Sequence, residues 1–196
     1  KKYVFLLLSA LSLQATPVKA DEGMWLPFLV GRNYEDMKKH GLNLSADEIY
    51  SINNSSLKDA VISFGGFCTG ELISKNGLIL TNHHCGYGAI ADVSTPQHNY
   101  LDNGFWAKQH SEEINIKGLH ATFVIRIADV TKDVLPHLND YMTQAQRDAK
   151  VAEIEKTLIE EGTKGTHYSG FVRDFYDGNE YYMFITERFN DIRLVG

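Results

Sequence analysis

One short stretch of the chain holds both cysteines and an adjacent pair of histidines, side chains well suited to proton transfer and metal binding. Residues 64–88 read F-G-G-F-C-T-G-E-L-I-S-K-N-G-L-I-L-T-N-H-H-C-G-Y-G and contain both cysteines, Cys68 and Cys85, with His83 and His84 before the second one. An unperturbed imidazole has a pKa of about 6.5 and therefore accepts and donates protons near neutral pH. Either histidine could serve as a general base or as a metal ligand.

The residues around this pair predict the elements that position it. Residues 62–73 form one strand-like run, Lys75-Asn76-Gly77 is a turn signal, and Leu78-Ile79-Leu80 is a second, fully apolar run. We expect a hairpin whose second strand is buried and delivers the histidines to a loop. Neighbouring side chains of an extended chain point to opposite sides, so only one histidine would face a cleft. A glycine-flanked bend is expected at residues 86–90.

The two cysteines lie on either side of this hairpin. A hairpin brings such positions close together, so a Cys68–Cys85 disulfide fits the geometry and would fix the adjacent His84. A disulfide is chemically reasonable if the chain is exported to an oxidising compartment, which the first twenty residues indicate. Two alternatives stay open: a pair of free buried thiols, and a zinc site built from His83, His84 and both cysteines. Zinc ligands more often come in closer pairs such as C-x-x-C.

The first twenty residues have the features of a secretory signal. They begin with two lysines, continue with an apolar run at residues 3–13, and end in V-K-A, which places small residues where a signal peptidase requires them. The apolar run is shorter than the roughly 20 residues that a membrane span needs. We predict a signal peptide at residues 1–20, a mature chain from Asp21, and no membrane span after its removal. The alternative is a buried N-terminal helix.

Composition limits the class of protein. The 196 residues are 43% hydrophobic and 22% charged, which indicates one globular domain with a real core. The net charge of −6 gives no support for a nucleic-acid partner or an anionic membrane surface. The chain lacks an initiating Met and stops at Gly196 within an apolar run. We therefore expect it to be a fragment.

Outside the histidine stretch, strand patterns alternate with a few helices. Ser45 followed by Glu48, and Thr143 at the head of the helical pattern 143–161, mark helix starts, while Gly162 is the expected end of the second. Strands are predicted at residues 121–130, 168–174, 181–187 and 191–195. The fold class is mainly β with helical insertions (α+β), which suits a β-barrel carrying helical decorations.

The arrangement of Phe67-Cys68, a hairpin and then T-N-H-H-C resembles the first barrel of a chymotrypsin-type serine peptidase. In those enzymes the general-base histidine directly precedes the cysteine that pairs with an earlier strand. The sequence resembles still more closely the bacterial dipeptidyl-peptidase 7 and 11 family of serine exopeptidases, which cut dipeptides from free N-termini. The shared runs are G-G-F-C-T-G-E-L-I-S-x-x-G-L-I-L-T-N-H-H-C-G-Y-G at 65–88, D-E-G-M-W at 21–25, N-Y-L at 99–101, G-F-W-A at 104–107 and E-R-F-N-D-I-R-L-V at 187–195.

The resemblance implies a fold, an activity and a set of partners. Residues 21–196 would be the N-terminal part of the catalytic domain, an incomplete first β-barrel of a chymotrypsin-like double-barrel peptidase. His84, rather than His83, would be the general base of a reaction that proceeds through an acyl-enzyme and takes no metal or organic cofactor. Substrates would be oligopeptides. The resemblance also implies a homodimer for the full-length protein. The expected location is the periplasm or the cell surface of a Gram-negative bacterium.

The remaining members of a catalytic triad are not found in this chain. Asp191 stands in an N-D-I run like the one that carries the acid of trypsin-like enzymes. In the exodipeptidase family, however, the acid follows the F-N-D-I-R-L-V run, so we assign Asp191 a structural role, with Asp129 a weaker candidate for the acid. Ser63, Ser74 and Ser169 lack the glycine-flanked setting of a nucleophile. The aspartate, the serine and the substrate-binding residues are expected beyond Gly196, and this chain alone should be inactive.

Two other function classes remain open at this point. One is an exported, non-catalytic peptide-binding domain with a peptidase-like fold. The other is a zinc-binding protein that uses the histidines and the cysteines as ligands.

Overall fold

The computed structural model describes residues 26–196, which are built around an antiparallel sheet of six strands. In chain order the strands are β1 (Val61–Phe64), β2 (Cys68–Leu72), β3 (Ile79–Thr81), β4 (Ile114–Asn115), β5 (Ala121–Asp129), β6 (Ser169–Phe175), β7 (Glu180–Phe189) and β8 (Arg193–Leu194). The sheet order is β3-β2-β1-β5-β7-β6, and β4 and β8 form a separate ribbon. Within residues 26–196 the sheet has two free edges, β3 and β6. The predicted class, mainly β with helical insertions, is confirmed, while the proposed signal peptide lies outside the described residues.

Six helices surround the sheet in the described part of the chain. They are α1 (Val30–Lys39), α2 (Ala46–Ile49), α3 (His83–Val93), α4 (Tyr100–Asn103), α5 (Thr131–Val134) and α6 (Gln144–Thr163), with single 3₁₀ turns between them. Both predicted helix starts are capping boxes, Ser45 with Glu48 and Thr143 with Gln146. Across residues 26–196, no helix combines the length and the apolar character that crossing a bilayer requires.

The larger of two hydrophobic cores lies between α6 and the strands β5, β7 and β6. Its buried members come from β6, β7 and the α5 region: Val130, Val134, Val172, Tyr181, Met183 and Ile185. α6 ends at Thr163, one residue past the predicted end at Gly162, and that glycine allows the helix to approach the sheet closely. A Cβ there would stand 3.0 Å from Met183 Cε and 3.2 Å from Ile185 Cδ1. Glu155 of α6 also accepts a hydrogen bond of 2.9 Å from the Val172 backbone N–H at the sheet edge.

A smaller core lies beneath β1 and β2. It contains Ile62, Phe64, Cys85 and Ala121, with Ile79 and Ile192 packed against it. The run 62–73, predicted as one element, is two strands, because the chain reverses at Gly65 and Gly66, both with positive φ. The expectation that β3 is buried is wrong for the described residues. It is an edge strand, and Leu80 is 54% exposed.

Candidate active site

The β2–β3 hairpin sets the position of the histidine pair. It closes at the predicted Asn76-Gly77 turn, where the Ile73 N–H donates to the Leu78 carbonyl oxygen at 2.9 Å. Gly70 on β2 allows the strands to approach: a Cβ there would stand 2.9 Å from Ile79 Cγ2. The register pairs Gly70 with Thr81, so the end of β3 is held against the middle of β2.

Two further contacts hold the end of β3. The Thr81 hydroxyl donates to the Thr69 carbonyl oxygen at 2.8 Å. Asn82 then keeps an extended backbone, and its carbonyl accepts the Cys85 N–H at 2.9 Å as the first turn of α3 begins. Sequence reasoning did not predict this role of Thr81, and the only signal for it is its position two residues before His83.

His83 and His84 occupy the first turn of α3, and both side chains are exposed. The prediction that they lie on an extended chain and point to opposite sides is therefore wrong. The bend predicted at residues 86–90 is wrong as well, since α3 continues through both glycines to Val93. Cys85, on the same helical turn, is buried in the smaller core, and this tertiary anchor outweighs the weak helix propensity of the glycines.

Cys68 and Cys85 form a disulfide, with their Cα atoms 6.1 Å apart. The bond links the start of β2 to the helical turn that carries His84. A ring nitrogen of His84 lies within 4.8 Å of both sulfur atoms. Because the sulfurs are bonded to each other, they are not available as the thiolates that a zinc site would use. The exposed imidazole of His84 therefore lies next to a residue that is covalently linked to β2.

His83 differs from His84 in its surroundings. Its ring meets Tyr87, one helical turn further along α3, edge to face with the ring centroids 5.8 Å apart. Within residues 26–196, no carboxylate or hydroxyl group hydrogen-bonds to the ring of His84. The exposed ring of His84 is therefore accessible to a group that lies outside the described residues.

The two aspartates considered as acids have other partners. Asp191 receives two hydrogen bonds from Arg193, at 3.0 and 2.8 Å, and one from the Asn115 amide at 2.8 Å. Hydrogen bonds lower the pKa of Asp191, and the bonds from Arg193 have a larger effect than the bond from Asn115. The ion pair with Arg193 lies within one segment of the chain, and the hydrogen bond from Asn115 links that segment to β4, so these are structural contacts of the β4–β8 ribbon.

The carboxylate of Asp129 also has a hydrogen-bond partner close by in the sequence. It accepts the Thr131 N–H at 2.9 Å, and hydrogen bonding by Thr131 lowers the pKa of Asp129. It lies at the end of β5, where it leads into α5. Neither aspartate is hydrogen-bonded to His84.

Comparison with known proteins places this geometry in a family. The model for peptidase S46 matches residues 20–196. The chain is 48% identical to dipeptidyl-peptidase 7 of Capnocytophaga gingivalis, covering 100% of this chain and 28% of that protein. It is 44% identical to an Asp/Glu-specific dipeptidyl-peptidase of Flavobacterium psychrophilum, covering 98% and 27% respectively.

Solved structures give the same result. The crystal structure of Porphyromonas endodontalis DPP11 in complex with substrate superposes with a TM-score of 0.75 at 41% identity, covering 89% of this chain and 26% of that one. The same enzyme in complex with the dipeptide Arg-Glu superposes with a TM-score of 0.74 at 40% identity, covering 89% and 27%. This sequence spans about a quarter of the length of the relatives it matches. The chain belongs to the peptidase S46 family.

Proposed function

We propose that this chain is the N-terminal part of a serine-type dipeptidyl-peptidase that removes dipeptides from the free N-terminus of oligopeptides. Its relatives are named dipeptidyl-peptidases, and one of them has been solved with a dipeptide. The observation that carries the proposal is the position of His84, exposed on a helical turn that the Cys68–Cys85 disulfide and the buried Cys85 hold in place.

In this mechanism His84 is the general base and then the general acid. Its imidazole takes the proton of a serine hydroxyl as that oxygen attacks the scissile carbonyl, and it returns the proton to the leaving amine. Water then attacks the acyl-enzyme, and the imidazole again accepts and returns a proton. Serine and the aspartate that orients the imidazole would come from the part of the protein that follows Gly196, so residues 1–196 alone would be inactive.

The rigidity of the hairpin supports this role. A general base must keep its nitrogen within hydrogen-bonding distance of the nucleophile, and an error of about 1 Å lowers the rate by about a hundredfold. The hydroxyl of Thr81, the backbone turn at Asn82 and the disulfide fix the main chain of His84 on three sides. His83, one residue earlier, has its ring against Tyr87 instead.

The proposal includes export. A signal-like segment at residues 1–20 and the disulfide both suit an oxidising compartment, so we propose the periplasm or the cell surface as the location. N-terminal sequencing of the protein purified from its host should begin at Asp21. A sequence that begins at or before Lys1 would contradict it. A homodimer is proposed for the full-length protein from family resemblance alone, and light scattering of the purified protein tests it.

The enzymatic proposal is tested with the full-length protein and dipeptidyl substrates whose N-terminus is free or blocked. Both acidic and apolar side chains are offered at the second position, because the relatives include enzymes named Asp/Glu-specific. We expect hydrolysis only of the free N-terminus. His84→Ala should lower kcat by about 10⁴-fold or more, as removal of a triad histidine does in other serine peptidases.

His83→Ala is the matched control, since it removes a neighbouring imidazole from the same helical turn. It should retain at least a substantial part of kcat. If His83→Ala alone abolishes hydrolysis, the assignment of the base is wrong while the activity stands. If the full-length wild-type protein hydrolyses none of the substrates, the exported peptide-binding domain becomes the better description.

A further inference from the structure

Two Asn-Gly pairs occur in the sequence, Asn76-Gly77 and Asn103-Gly104, and the structure gives them different backbones. Asn-Gly is the pair in which an asparagine side chain most readily reacts with the following backbone nitrogen, because glycine has no Cβ to hinder the approach. All four residues are exposed. Sequence and solvent access therefore do not distinguish the two sites, and any difference in reactivity must come from the main chain.

Asn76-Gly77 forms the turn between β2 and β3. The Gly77 N–H has one weak acceptor, the Ser74 carbonyl oxygen at 3.4 Å, beyond the usual range of backbone hydrogen bonds. The turn is otherwise held by the Ser74 hydroxyl oxygen, which accepts from the Asn76 and Leu78 N–H groups at 3.3 and 3.0 Å. The nitrogen that would attack is thus close to free, in a segment with no buried side chain to restrain it.

Asn103-Gly104 ends α4 and is held by helical hydrogen bonds. The Gly104 N–H donates to the Tyr100 carbonyl oxygen at 3.0 Å, and the Asn103 N–H donates to the Asn99 carbonyl oxygen at 2.9 Å. The helix is capped by the Asn99 side chain, which accepts from the Asp102 N–H. Helical backbone directs the Gly104 nitrogen along the helix axis and engages its proton. Reaction at Asn103 must first break this turn.

We propose that Asn76 is a deamidation site, and that Asn103 is protected from the same reaction by α4. The Gly77 nitrogen loses its proton to water or hydroxide and attacks Asn76 Cγ, forming a C–N bond, while the side-chain nitrogen leaves as ammonia. Water then opens the resulting cyclic imide at either carbonyl. Opening at one carbonyl gives aspartate. Opening at the other gives isoaspartate, in which the main chain runs through the former side chain.

The product changes the turn that precedes the candidate base. Either product adds one negative charge beside Lys75, and isoaspartate lengthens the main chain of the turn by one methylene. The hydrogen bonds from Asn76 and Leu78 to the Ser74 hydroxyl depend on the original length. The disulfide closes the same hairpin further along and is not altered by the reaction. Deamidation should therefore loosen residues 74–78 while the His84 corner keeps its covalent anchor.

The test uses the full-length protein, kept at mildly alkaline pH in native buffer and, in parallel, in concentrated guanidinium chloride with a reductant. Both samples are then denatured and reduced to open the Cys68–Cys85 bond, and cleavage after glutamate releases residues 72–112 as one peptide that carries both asparagines. Fragment spectra then report the conversion of each amide to a carboxyl group in the same molecule. In native buffer, Asn76 should convert faster than Asn103 by about fivefold or more, the factor that one net hydrogen bond represents.

In guanidinium chloride the two rates should converge, because both pairs then lie in an unfolded chain. Asn76→Gln is the matched control. It should remove the early conversion, since a longer side chain closes its ring more slowly, and it should leave the native rate at Asn103 unchanged. Equal native rates, a faster reaction at Asn103, or a native Asn76 that stays intact while both sites react in denaturant would each overturn the proposal.

Discussion

The two halves of the sheet are stabilised in different ways. The hairpin half consists of β1, β2 and β3 with α3, and its strands have four, five and three residues. The helix-backed half consists of β5, β7 and β6 with α6, and its strands have nine, ten and seven residues. The two meet in a short register of β1 on β5, at Ser63 and Phe64. The hairpin half has a small core and a disulfide, whereas the helix-backed half has a larger core.

This difference follows from what each half must do. A candidate catalytic imidazole has to remain exposed, so the element that carries it cannot be buried on all sides. His84 and Leu80 of β3 are exposed, and the disulfide supplies the rigidity that burial would otherwise provide. The helix-backed half carries neither His84 nor the two cysteines and can bury Tyr182 and Ile185 almost completely.

The largest effect on stability should come from the core of the helix-backed half. Ile185→Ala removes a side chain that is 2% exposed and should lower the free energy of unfolding by about 3 to 4 kcal/mol, from lost burial and the cavity left behind. Ile79→Ala in the hairpin half is the matched control, because that side chain is only half-buried at the sheet edge. Calorimetry of the full-length variants measures both. An equal or larger loss for Ile79→Ala would remove the contrast between the halves.

The second effect concerns the covalent link of the hairpin half. Replacing both cysteines with alanine should lower the free energy of unfolding by about 3 kcal/mol, mainly because the unfolded chain gains freedom when a short loop is opened. The single variant Cys68→Ala should lose a similar amount, since it lacks the same bond. Calorimetry under identical conditions provides the comparison. A double variant that unfolds at the wild-type temperature would show that the disulfide does not stabilise this half.

The smallest effect is a pH dependence at the β4–β8 ribbon, whose Ile192 packs against the core of the hairpin half. Hydrogen bonds from Arg193 and Asn115 lower the pKa of Asp191 in the folded chain. The stabilisation is therefore complete above the unfolded pKa, about 3.9, and is lost as the pH falls through the lower folded value. The melting temperature of wild type should exceed that of Asp191→Asn slightly at neutral pH and match it in acid. A difference that grows in acid would contradict this sign.

Local patterns in the sequence predicted most of the elements. The capping box at Ser45, the strand β5 and the turn at Asn76-Gly77 were all predicted from nearby residues, because caps and turns depend on short-range chemistry. The pairing of Cys68 with Cys85 could be predicted because a hairpin brings them together.

The failures occurred where distant contacts decide the structure. An all-apolar run indicated a buried strand, but sheet order places β3 at an edge. Two glycines after Cys85 indicated a bend. The burial of Cys85 instead stabilises α3 through both glycines, so the two histidines lie in the first turn of a helix. The hydrogen bond between Asn115 and Asp191 joins residues 76 positions apart, and local sequence patterns do not predict contacts at that separation.

The most direct test of the central claim, that the disulfide fixes the corner carrying His84, is amide hydrogen exchange of the full-length protein with and without Cys68 and Cys85. In the double alanine variant, exchange should accelerate in residues 79–85 and stay unchanged in residues 181–186 of β7, which lie in the helix-backed half. Unchanged exchange in residues 79–85, or the same acceleration in both segments, would show that the two halves are not stabilised separately and that the His84 corner does not depend on its disulfide.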